Sequence, residues 1–107
     1  MGIFDFLKKQ EVMPIDVSAY DFALQVSDIF TITGRGVIAV GTVKKGSVNV
    51  NDTVKVIGHT NEILPAKVVK IEMFRKESET AVAGDNVGLE LEGVSKDNIL
   101  KGYYIAK

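Results

Sequence analysis

From Tyr20 onward the chain is a succession of short segments rich in β-branched and aromatic residues, each ended by glycine or a polar pair. Phe22 to Thr33 is the first, Val37 to Val43 follows the Gly34-Arg35-Gly36 break, and Thr53 to Ile57 follows Asn51-Asp52. Ala66 to Phe74 and Asn86 to Leu91 continue the series. Tyr103 to Ala106 is placed to close the sheet after a helical turn in Ser95 to Leu100. About six strands in so short a span predict an all-β, closed antiparallel barrel, because closure removes the edges that a small open sheet would expose.

A length of 107 residues, with 46% hydrophobic and 25% charged side chains, suits one ordinary soluble core. The expected division is an N-terminal amphipathic tail and linker over 1–19 and the barrel over 20–107. In the tail, Ile3, Phe4 and Leu7 recur at helical spacing, with Lys8 and Lys9 after them. So short a helix is marginal alone, which makes it a frayed or self-docked end, or, in the sharper reading, a hook for a partner. Gln10 to Ala19 has no period and contains Pro14, as a linker does. Asp5 interrupts the only candidate apolar run, so neither a secretory signal nor a membrane span is expected, and the cytoplasm is the default location. A myristoylation signal fails because Phe6 stands where Ser or Thr is required.

The chain is poor in the residues that carry chemistry. It has no Cys and one His, His59, which leaves no zinc ligand set, no thiol nucleophile and no disulfide. Gly41-Thr-Val-Lys-Lys-Gly46-Ser47 imitates the glycine spacing of a phosphate-binding loop, but Ser47 replaces the essential Lys. That stretch joins two strand-like runs and is better explained as a Lys-Gly turn. Gly34, Gly36 and Gly41 miss the dinucleotide spacing and lack a βαβ setting. His59, after Gly58 in a polar stretch, reads as a solvent-exposed loop residue. The expectation is therefore a chain that is not an enzyme and holds neither metal nor cofactor.

A net charge of -1 rules out counterion release as a strong general drive toward nucleic acid. Any RNA contact must be local, and Arg35, Lys44, Lys45, Arg75 and Lys76 are the candidate basic surface. The plainer reading makes them ordinary solvated charges.

Several motifs in register then become specific. Asp28-Ile-Phe-Thr-Ile-Thr-Gly-Arg-Gly36, Gly46 with Asn51-Asp52, Val69 to Lys76 containing Glu72-Met-Phe-Arg-Lys76, Ala83-Gly-Asp-Asn-Val-Gly88, and Gly102 to Lys107 together resemble the second domain of elongation factor Tu. The resemblance covers about Phe22 to Lys107. It implies a six-stranded Greek-key barrel of the translation-factor type, here without the family's GTPase and third domains, so that any nucleotide switching would be borrowed from a partner. In the family this domain holds the aminoacylated 3′ end of transfer RNA in a shallow pocket. By position, Ile38 forms one apolar wall, Glu72 is the carboxylate beside the terminal adenosine, and Arg75 and Asn86 mark the backbone contacts. The opposite wall departs from the pattern: Glu90 and Glu92 stand where the family has Leu and Arg. Two added carboxylates oppose both base stacking and phosphate binding. Val40 for Thr and Ser27 for an acid remove further polar contacts. The resemblance thus implies a retained fold with an altered RNA-end pocket, serving a translation- or RNA-associated binding module with transfer RNA or ribosomal RNA as partner. The alternative is a protein-interaction module that docks on a GTPase or another protein.

Overall fold

The computed structural model describes residues 15–31, 36–73 and 76–107. Nine strands account for most of these: β1 (Ala23–Thr31), β2 (Val37–Lys45), β3 (Ser47–Asn49), β4 (Thr53–Ile57), β5 (Ile63–Met73), β6 (Lys76–Ser78), β7 (Thr80–Val82), β8 (Asn86–Glu92) and β9 (Tyr104–Ala106). The helical turn expected in Ser95 to Leu100 is a short 3-10 helix over Lys96–Asn98, where the Ser95 N–H donates to Asn98 Oδ1 at 2.9 Å. Among the described residues no helix is long and apolar enough to cross a membrane.

Hydrogen bonding runs β4, β9, β1, β2, β8, β5 and returns from β5 to β4, so six antiparallel strands close a ring. Within it, β4, β5 and β8 follow one another and β9 comes back beside β4, which is Greek-key order. β6 extends β5 outside the ring, and β3 with β7 forms a separate two-stranded ribbon. The sequence expectation of a closed six-stranded sheet is met. The three-residue strands β3, β6 and β7 escaped it because three residues are too few to establish an alternation. β5 also begins earlier than expected, through Pro65. Proline is tolerated there because pairing with β8 begins only at Lys67, so at Pro65 one side of β5 has no ladder to break.

Alternation decides what the ring encloses. In β2, Val37, Ala39, Gly41 and Val43 are buried while Ile38, Val40 and Thr42 are half-buried on the outer face. Leu24 and Val26 of β1, Val54 and Val56 of β4, Val68 and Ile71 of β5, Leu89 and Leu91 of β8, and Ile105 of β9 complete the interior, which Ile99 joins from the segment after β8. Gly41 marks a close approach of β2 to β1: a Cβ there would fall 2.0 Å from the Gln25 carbonyl oxygen.

The ends of the ring are tied by polar groups. Asp21 and Phe22 N–H both donate to the Lys107 carbonyl, at 2.8 and 3.0 Å, and Lys107 N–H donates back to Phe22. Lys107 Nζ also reaches Asp52 Oδ2 at 2.8 Å, and that bond above all lowers the Asp52 pKa. In the turn between β4 and β5, Asn61 takes a φ of 67° and Glu62 gathers three donors: Thr60 N–H, the Thr60 hydroxyl, and Tyr103 Oη at 2.9 Å. Exposed His59 packs edge-on against the Tyr103 ring at 4.9 Å.

These donors, the Thr60 hydroxyl foremost, hold the Glu62 carboxyl near 2 rather than its ordinary 4.5. A carboxylate whose folded pKa is depressed adds stability that is complete above the unfolded pKa and fades as pH falls through the folded one. Glu62→Gln is therefore expected to melt lower than the parent at neutral pH, with the gap closing from about pH 4.5 down to about pH 2. Thermal unfolding followed across that range checks it, and a gap independent of pH would contradict the linkage.

Candidate functional site

Cross-strand pairing converts the ring into rows of outward side chains. One row runs Phe30 on β1, Ile38 on β2, Glu90 on β8 and Lys70 on β5. The next runs Asp28, Val40, Gly88, Glu72 and, on β6, Glu77. Thr42 and Asn86 form a third, joined by a hydrogen bond from the Thr42 hydroxyl to Asn86 Oδ1. Of the residues singled out for the RNA-end pocket, Ile38, Glu72, Asn86 and Glu90 thus lie on one outer face of β2, β8 and β5.

A departure from regular pairing brings β1 into that face. Val26 opposes Gly41 but Asp28 opposes Val40, so Ser27 is an extra residue and β1 bulges. Leu24 and Val26 point inward. Without the extra residue the alternation would send Asp28 and Phe30 inward too; with it, both face out. Phe30 is consequently 54% exposed. The Ser27 hydroxyl donates to the Val40 carbonyl at 3.1 Å and holds the bulge against β2. Sequence reasoning missed Phe30 as a surface residue.

The floor of the face is set by Gly88. A Cβ at this position would lie 3.2 Å from Ile38 Cγ2 and 3.8 Å from Val40 Cγ2, so its absence leaves a shallow depression beside two aliphatic side chains. On the far side, Lys70 Nζ sits 3.0 Å from Glu77 Oε2 and 3.5 Å from Glu72 Oε2. Glu77 first, then Glu72, raises the Lys70 pKa. Glu90 is only 8% exposed although its strand alternation turns it outward. Glu92 shares its face, opposite Lys67. Next to them is a cavity of about 690 Å³ lined by Glu90, Glu92, Val69, Gly36, Ser95 and Asn98 among others.

The candidate basic surface is dispersed where it is described. Lys44 is exposed and continues the outward side of β2 past Thr42, Lys76 is exposed on β6, and Lys45 turns to the other side, with Nζ 3.4 Å from the Ser18 carbonyl. Arg35 and Arg75 lie outside the described residues, as do Ile3, Phe4 and Leu7 of the expected hook. Among the described residues no cluster of acidic, His or Cys side chains has the makings of a metal site.

Chemically, the face offers an aliphatic and aromatic strip beside carboxylates, on a rigid sheet, with no nucleophile set against a base among the described residues. Such a surface offers apolar area and charge for contact. The pairs around Lys70 are solvent-exposed and contribute little to stability. In a double-mutant cycle of Lys70→Met and Glu77→Gln on thermal unfolding, the expected coupling is small and disappears at about 1 M salt, where screening reaches ~3 Å. A coupling that persists there would mean the pair is shielded from solvent.

A family model described as elongation factor Tu domain 2 matches residues 36–106, which include all of β2, β5 and β8. Two solved structures of translation elongation factor SelB from Methanococcus maripaludis are similar to this chain. The apo form is 29% identical with a TM-score of 0.74, covering 97% of this chain and 22% of that one. The complex with the GTP analogue GppNHp is 30% identical with a TM-score of 0.74, covering 98% and 22%. The chain thus spans 22% of the length of each of these factors.

Proposed function

Because this chain belongs to the elongation factor Tu domain 2 family, we propose that it is a non-catalytic binding module of translation-related assemblies, working in the cytoplasm and engaging its partner through the outer face of β2, β8 and β5. One observation carries the reading. The open floor at Gly88, beside Ile38 and Val40 and opposite Glu72, lies where the family's RNA-end pocket is expected from the resemblance. The walls differ, with Glu90 and Glu92 on the side expected to be apolar and basic. The module keeps the platform and changes what the platform accepts.

Similarity to SelB supports a place beside translation factors, while the GTP-analogue complex belongs to that much longer protein.

Gly88→Phe would fill the floor with an aromatic ring, and Ile38, half-buried, has room to yield by the few tenths of an ångström that the new Cβ demands. Intact parent and variant are expected to melt within a few degrees of each other, roughly 1 kcal/mol apart. Affinity purification followed by protein and RNA identification should recover translation components with the parent and lose them with Gly88→Phe. Identical sets from both, or sets without translation components, would overturn the proposal.

A further inference from the structure

We propose that the occupant of this face is a peptide segment of a partner protein carrying both basic and apolar side chains. The inference rests on the binding-face reading above and names the chemistry of the partner. Two independent features point to it.

The first is apolar. The bulge at Ser27 turns Phe30 outward, in line with Ile38, and Val40 lies in the adjacent row beside the Gly88 floor. An aromatic ring 54% exposed next to two half-buried aliphatic side chains is a strip suited to one or two apolar side chains. The strip depends on a backbone irregularity that costs sheet pairing, and bulges of this kind re-aim side chains at sites of contact.

The second is electrostatic. Nearest the strip, among the described residues, Asp28, Glu72, Glu77 and Glu92 face outward, against Lys67 and Lys70. Four carboxylates against two ammonium groups give this described surface a negative balance, although the chain as a whole is close to neutral. The cavity of about 690 Å³, lined by Glu92, Ser95 and Asn98 among others, can take the head of a lysine or arginine while its aliphatic stem lies along Val69. Complementarity of this kind raises association rates and selects cationic partners. It repels the phosphates of RNA and the anionic headgroups of a membrane surface. A protein segment is the partner class that supplies cations and apolar side chains together without a phosphate.

The experiment uses the intact chain and fluorescently labelled synthetic peptides of roughly 10 residues, long enough at ~3.3 Å per residue to cross the strip and the cavity mouth. One mixes Leu with Lys, one Leu with Glu, and one Ser with Lys; transfer RNA and a single-stranded RNA oligonucleotide are run beside them. Anisotropy titrations should find binding of the Leu–Lys peptide that weakens with salt, with at least tenfold weaker binding of the other two. Phe30→Ser and Glu92→Lys, both at exposed positions, should each weaken the Leu–Lys peptide about tenfold, roughly 1.4 kcal/mol, and Glu92→Lys should also flatten the salt dependence. Equal binding of the Ser–Lys peptide, or indifference to both substitutions, overturns the proposal. If RNA binds instead and is displaced by Gly88→Phe, the peptide proposal fails while the binding-face reading survives. If neither RNA nor peptide binds, the peptide proposal fails, and recovery of translation components by the parent alone then decides the face itself.

Discussion

The closing ladder, in which β4 pairs with β9 on one side and β5 on the other, is the constraint on which the rest of the molecule depends. A strand side chain has only two directions to choose from, and in a ring one is the core and the other is solvent. Once Val54 and Val56 are committed to the interior, their pairing with Ala66 and Leu64 fixes the parity of β5 as far as Val68, and the extra residue Val69 then brings Ile71 to the same side. The parity of β8 and β2 follows through the pairings of Ile71 with Leu89 and of Leu89 with Ala39. The outer face of Ile38, Val40, Gly88 and Glu72 is therefore the reverse side of the core. No side chain on it could change direction without dragging a buried one out.

Among the places where the parity is broken, the bulge in β1 is informative for that reason. Ser27 spends a residue without advancing the register, and everything after it on β1 changes sides. Asp28 would be costly inside and is comfortable outside. Phe30 is the opposite case, an apolar side chain moved from a place where it would be sheltered to one where it meets water.

Much of the ring was legible in the sequence, because Val37 to Val43, Thr53 to Ile57 and Asn86 to Leu91 are short runs rich in strand-forming residues, divided by glycine and polar turns. Their limits agree with β2, β4 and β8 to within two residues. Pro65 hid the beginning of β5, since a proline reads as a break unless it is known that only one neighbour is present. For the face, the motif match grouped Ile38, Glu72, Asn86 and Glu90, which no periodicity would have brought together from four separate positions on three strands. Phe30 was lost because Phe22 to Thr33 reads as a single uninterrupted strand. A signal was there: Leu24 and Val26 alternate as core residues, and the next position in step, Asp28, is a carboxylate. A charge arriving on the beat of a buried row is the trace that a bulge leaves in a sequence.

The bonds that join Asp21 and Phe22 to Lys107 have a mechanical side as well. The first and last strands of the ring run antiparallel, and the chain enters one and leaves the other at the same end. Tension applied across these two points pulls along the direction of the hydrogen bonds between β1 and β9, since such bonds lie perpendicular to the strands. They would break in succession, as a zip opens, instead of sharing the load as bonds do in shear. A ring of six strands that closes on itself is, for a force applied there, open at its seam.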